Sequence, residues 1–201
     1  TRHADFANAA APGRARWLGT SIASLSKVER AFVIGSFLRK DHPLFAQRLR
    51  QAVRHGAQVS SLNAVHDDWA MPLAGHMTAA PSAWADALAQ VAAAIAAAKG
   101  IAAPAPADAS DAAKAIAASL MSGERKALLL GNTAAQHPQA SQLLALAQWI
   151  GTQVGASVGY LCESGNSVGA QLVGALPRAG GFDAGQMLSR PMKALFLLNV
   201  E

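Results

Sequence analysis

The sequence predicts an α/β fold: a Rossmann-like, doubly wound and mostly parallel sheet with helices on both faces, built from two repeated strand-turn-helix-strand halves. Three observations carry that expectation. The apolar runs AFVIGSF (31–37) and KALLLGN (126–132) each reach a glycine, as buried parallel strands feeding tight turns do. Each is followed by a His-Pro pair, His42-Pro43 or His137-Pro138, an amphipathic stretch, and a second run opened by Gly56-Ala57-Gln58-Val59 or Gly155-Ala156-Ser157-Val158. The connections are long enough for helical crossovers, which favour parallel pairing and right-handed turns.

Taken in order, strands are expected near 31–35, 57–62, 126–131, 156–162 and 194–200. The helix after Pro43 should bury Leu44, Phe45, Leu49 and Val53 at helical spacing. A helix over 82–98 begins after Pro81-Ser82, carries Trp84, Leu88, Val91 and Ile95 on one stripe, and stops at Lys99-Gly100. The Ala/Pro alternation of IAAPAPADAS then favours an extended linker, about 100–109, and a helix with Ile116 and Leu120 follows over 110–121. The linker separates a first half, about 20–99, from a second, about 110–201.

With 201 residues the chain has material for one substantial core rather than two ordinary domains. It starts at Thr1 and ends at Glu201, directly after the strand-like ALFLLNV, so 1–201 is expected to be an excised fragment of one longer domain. Apolar residues at 52% and charged residues at 14% exclude a disordered chain. No uncharged apolar run approaches the roughly 20 residues of a membrane span, so direct membrane insertion is not expected.

Cys162 is the sole cysteine, which rules out an internal disulfide and any cluster or zinc site built from several thiolates of this chain. It follows the run Val158–Leu161 and reads as a buried strand-end residue. The net charge of +5 concentrates around the first helix, at Arg39, Lys40, Arg48, Arg50 and Arg54. No interleaved aromatics or nucleic-acid motif accompany these cations, so they read as a solvated or partner-facing surface, with no nucleic acid.

In an open parallel sheet, ligands bind beyond the carboxyl ends of the strands. Gly35, Ser36, Gly131 and Asn132 occupy equivalent strand-end turns there and are candidate binding residues, although any tight strand-to-helix turn also wants glycine. His42 and His137 read as residues that start helices, and His3, His55, His66 and His76 form no recognised metal-ligand spacing. Gly165-Asn166-Ser167-Val168-Gly169 matches the G-x-S-x-G nucleophile elbow, but no histidine follows Ser167. A truncated serine hydrolase is thus the weaker of two alternatives. No dinucleotide fingerprint, phosphate loop or zinc-protease helix is present, and no catalytic residue or metal ligand is assigned.

The segment GSFLRKDHPLFAQRLRQAVRHGAQVSSLN (35–63) resembles molybdopterin-oxidoreductase-type domains. GNSVGAQLVGALP (165–177) and GFDAGQMLSRPMKALFLLNVE (181–201) are similar, more narrowly, to the large iron–sulfur subunit of bacterial NADH:quinone oxidoreductases, respiratory complex I. The resemblance covers most of the chain from about Val28 and is poor in the Ala/Pro-rich middle.

It implies a non-catalytic structural domain on the cytoplasmic side of the bacterial inner membrane, in the peripheral arm, in contact with the rest of its own chain and with other subunits. The iron–sulfur clusters would lie in a preceding amino-terminal part, and molybdopterin would have been lost. Gly35, Ser36, Gly131, Asn132 and Asn166 would mark the vestigial pterin-type crevice. The family's asparagine after Gly-Ser is Phe37 here, which exchanges an amide for an aromatic ring that could fill the old cavity. The leading alternative is a functional module binding molybdopterin guanine dinucleotide.

Overall fold

The computed structural model describes residues 16–177 and 180–197. A sheet of five parallel strands forms its centre: β1 (Arg30–Ile34), β2 (Gln58–Asn63), β3 (Gly75–Thr78), β4 (Lys126–Leu130) and β5 (Ser157–Tyr160), in the order β3-β2-β1-β4-β5. The chain winds outward from β1 to β2 and β3, returns to the middle at β4, and winds outward again to β5. The order reverses between β1 and β4, which run side by side with Arg30 opposite Lys126 and Ile34 opposite Leu130.

The two halves of the repeat take the same course. From β1 the chain enters a single helical turn α1 (Leu38–Asp41), the helix α2 (Pro43–Arg54) and β2. From β4 it enters a single turn α5 (Asn132–Ala135), the helix α6 (Ala140–Val154) and β5. Pro43 occupies the first turn of α2, where its missing N–H costs nothing. Helix α6 ends at Gly155, whose φ of 70° is the left-handed cap that glycine adopts without strain.

Alternation along the strands divides the core into two layers. Phe32, Ile34, Leu62, Leu128, Leu130 and Tyr160 face one side, against α6 and two helices inserted between the halves, α3 (Trp84–Lys99) and α4 (Asp111–Met121). Trp84, Leu88, Val91 and Ile95 of α3 and Ile116 and Leu120 of α4 are all buried there, as their spacing predicts. Ala31, Val33, Val59, Ala127 and Leu129 face the other side, against α2 and a 3₁₀ segment at Ile22–Lys27. The doubly wound architecture with helices on both faces is therefore present.

Several local expectations change. Leu44 is 78% exposed and does not join the apolar face of α2, which rests on Ala46, Leu49 and Ala52. Strand β3 has no counterpart in the sequence reading. Residues 194–197 form no strand, with Leu195, Phe196 and Leu197 exposed, and the remainder of the expected strand at 194–200 lies outside the described residues. The linker after α3 has no regular structure and is largely exposed, as its Ala/Pro alternation predicts.

The β5 flank of the sheet is occupied by the segment before the 3₁₀ turn. Tyr160 N–H donates to the Trp17 carbonyl at 2.7 Å, and a β-carbon on Gly159 would overlap the Leu18 carbonyl. Only a glycine permits so close a backbone approach.

Candidate functional site

The reversal of strand order between β1 and β4 places Gly35-Ser36 and Gly131-Asn132 side by side at the carboxyl ends of the two strands. Gly131 N–H donates to Ile34 O at 2.8 Å, and Thr133 N–H donates to Gly35 O at 3.1 Å, so the two turns are bonded to each other. The fold thus assembles four of the five candidate binding residues. Asn166 is not among them. It lies exposed beyond β5, at the start of α7 (Ser167–Leu172), one strand removed from the reversal.

The glycines there serve packing. Gly35 has φ 62°, and a β-carbon on it would lie 2.6 Å from Trp84 Cζ3 and 2.7 Å from Ala134 N. A β-carbon on Gly131 would lie 2.5 Å from Gly35 O and 2.7 Å from Ser36 Cα. Ser36 is fully buried. On the side where a β-carbon would project, the space beside each glycine is filled by protein, so neither turn opens toward a ligand in that direction. Phe37, beside Ser36, is 38% exposed.

Polar side chains surround this closed point. Asn63, at the end of β2, donates through Nδ2 to Ser36 O at 2.8 Å and to Asp67 Oδ2 at 2.9 Å. His42 is buried at the start of α2, with the Phe45 ring 5.7 Å from its own. Burial pushes the His42 imidazole below its ordinary value; the Asp41 carboxylate and the nearby Asn132 amide oppose that shift. Even so, Asn132 Oδ1, His42 Nε2 and Ser36 Oγ complete no hydrogen bond of normal geometry among the described residues.

The other candidates separate clearly. His137 is buried, accepts at Nδ1 from Gln139 N–H at 3.0 Å, and therefore carries its proton on Nε2, which donates to Pro81 O at 2.9 Å. Its ring stacks on Trp84 at 5.8 Å. Both nitrogens are committed to structure. Ser167 does open a helix, but seven residues after the end of β5 rather than on a tight elbow, and its Oγ shares hydrogen bonds with the Ser164 hydroxyl at 2.9 Å and backbone N–H at 3.2 Å. Cys162 is half-buried, and burial raises its thiol pKa, which suits an inert strand-end residue.

The cations around the first helix are exposed: Arg48 donates to Ser26 Oγ at 3.2 Å, and Arg39 pairs with Asp68. A separate cavity of about 270 Å³ lies at the opposite, amino-terminal end of the sheet, lined by Ser24, Lys27, Glu124 and Lys126 among others. Sequence reasoning named Asn132 as a binding candidate and His42 only as a helix-start residue, and it missed Asn63 and Asp67 beside them. The signal for Asn63 was that β2, apolar or small from Val59 to Leu62, ends on asparagine. No group of three metal-ligating side chains converges among the described residues. No protein-family model matches the chain, and no curated protein matches it.

Proposed function

We propose that this chain is a non-catalytic support domain, derived from the molybdopterin-oxidoreductase fold, in the large iron–sulfur subunit of a respiratory NADH:quinone oxidoreductase. The observation that carries the reading is the closed strand reversal, where Gly35 and Gly131 press their turns together and Ser36 is fully buried. An inherited crevice that no longer holds its dinucleotide is free to close, and closure adds packing between the two repeated halves. The parent enzyme would transfer electrons from NADH to quinone through clusters borne elsewhere in the subunit.

Contact with a partner, which we place in the peripheral arm on the cytoplasmic side of the inner membrane, is supported by apolar side chains exposed beyond β5. Leu172, Val173, Leu188 and Phe196 are each at least 63% exposed, more than an isolated surface gains from leaving in water. No described helix is long and apolar enough to cross a membrane.

The test has two parts. Purified protein, denatured and oxidised, should release no stoichiometric pterin fluorescence, and elemental mass spectrometry should find neither molybdenum nor tungsten; stoichiometric pterin and metal would restore the cofactor-binding alternative. In source cells, the tagged chain should migrate with NADH dehydrogenase activity on native gels. Migration apart from that activity would remove the complex from the proposal.

A further inference from the structure

The connection from β2 to β3 doubles back and joins two histidines that sequence spacing keeps apart. His66 and His76 are both exposed, with ring centroids 4.5 Å apart and ring planes inclined by 48°. That separation has a chemical meaning. A metal ion bound by imidazole lies about 2.0–2.1 Å from nitrogen, hence about 3.2 Å from each ring centroid, so two adjacent ligands at about 90–110° place their centroids about 4.5–5.2 Å apart. The observed pair stands at the near end of that interval.

The scaffold beneath the rings is fixed by several bonds. His76 lies in β3, directly opposite Ser61 of β2. The loop carrying His66 is tied on both sides: Asp67 accepts from Asn63, Asp68 accepts from Ala70 N–H at 2.8 Å and pairs with Arg39, and Trp69 is buried. A loop held in this way brings its ligands together before the ion arrives, which removes part of the ordering cost of binding.

We propose that His66 and His76 form a surface site for one divalent transition-metal ion, with water completing its coordination. Two imidazoles without a thiolate favour Cu2+ over Ni2+ and Zn2+. Because no third protein ligand converges among the described residues, the ion would remain open to solvent and exchangeable. Such a site captures or passes on an ion; it does not hold the fold together. It is independent of the closed strand reversal and of the support role proposed above.

The test uses the full chain carrying His3→Ala, so that His3 contributes no ligand. Titration with Ni2+ by calorimetry should give one ion per chain, and Cu2+ should show two equatorial nitrogens by electron paramagnetic resonance. His66→Ala and His76→Ala should each weaken binding by at least about tenfold, because losing even an outer partner of a ligand costs about 10–100-fold, and each should remove one nitrogen from the Cu2+ signature. His55→Ala should change neither. Both replaced side chains are exposed, and circular dichroism checks that the variants are folded. Absence of one-to-one binding, or affinity and nitrogen count unchanged in both variants, would overturn the site.

Discussion

Gly131 faces Ser36 so closely that a β-carbon added to it would lie 2.7 Å from the Ser36 Cα. The contact joins the first turn of one repeated half to that of the other. Gly131→Ala should therefore cost about 1–3 kcal/mol by overpacking, read as a lowered midpoint in urea. Gly35→Ala should cost more, since its φ of 62° adds backbone strain to the approach of Trp84 and Ala134. Unchanged midpoints would mean that the two turns are not in contact in solution.

The register of α2 is tested by a pair of leucines five positions apart. Leu49 is fully buried and Leu44 is 78% exposed. Leu49→Ala should destabilise by about 2–5 kcal/mol, whereas Leu44→Ala should stay within about 0.5 kcal/mol of the parent. Chemical denaturation of both variants decides the matter. Comparable losses would put the helix one face away from the position described.

His42 gives the molecule a defined acid response. Its folded-state pKa lies below the ordinary 6.5 because burial disfavours the charged ring. The unfolded chain then binds the proton more readily, so this contribution is fully present above pH 6.5 and is lost as the pH falls from there through the folded-state value. Stability measured between pH 7.5 and 5 should fall less steeply in His42→Gln. An equal slope in the two proteins would count against a buried neutral ring.

His137 spends both ring nitrogens on backbone groups, accepting from Gln139 N–H and donating to Pro81 O. His137→Phe keeps an aromatic surface against Trp84 but strands both partners. The loss should be about 0.5–1.5 kcal/mol, the net worth of a hydrogen bond, because Pro81 and Gln139 are exposed and water can reach them. Thermal unfolding is a sufficient measurement, and a variant as stable as the parent would show that water replaces the ring.

Ser167 should not react with a fluorophosphonate probe. Its hydroxyl is engaged by Ser164, and no histidine joins it among the described hydrogen bonds. Labelling that is abolished by Ser167→Ala would revive the hydrolase alternative.

Much of this fold is legible in the sequence because most of its determinants are local. The runs ending at Gly35 and Gly131, the His-Pro helix starts, and the stripe from Trp84 to Ile95 each declare an element by period or by turn chemistry. β3 escapes that logic. Its four residues, Gly75–Thr78, alternate between half-buried and exposed positions, and a short edge strand needs neither an apolar run nor strong β formers. Residues 194–197, the described part of the strand expected at 194–200, form no strand for the converse reason: a local apolar run cannot say whether a neighbour exists to bury it. The same limit applies to the site. Gly35, Ser36, Gly131 and Asn132 could be placed from strand-end position alone, but that the turns close on one another, and that Asn63 and His42 join them, depends on strand order. Asn166 shares their chemistry and not their place.

The segment bonded along β5 makes the sheet unequal at its two margins. On that flank Trp17 already takes the Tyr160 N–H, and Gly159 leaves no room for a further chain. No strand pairs beyond β3 among the described residues. Growth of the sheet by an incoming polypeptide is thus directional: a newcomer must align along β3, where it would meet His76 and displace or trap whatever the two rings hold.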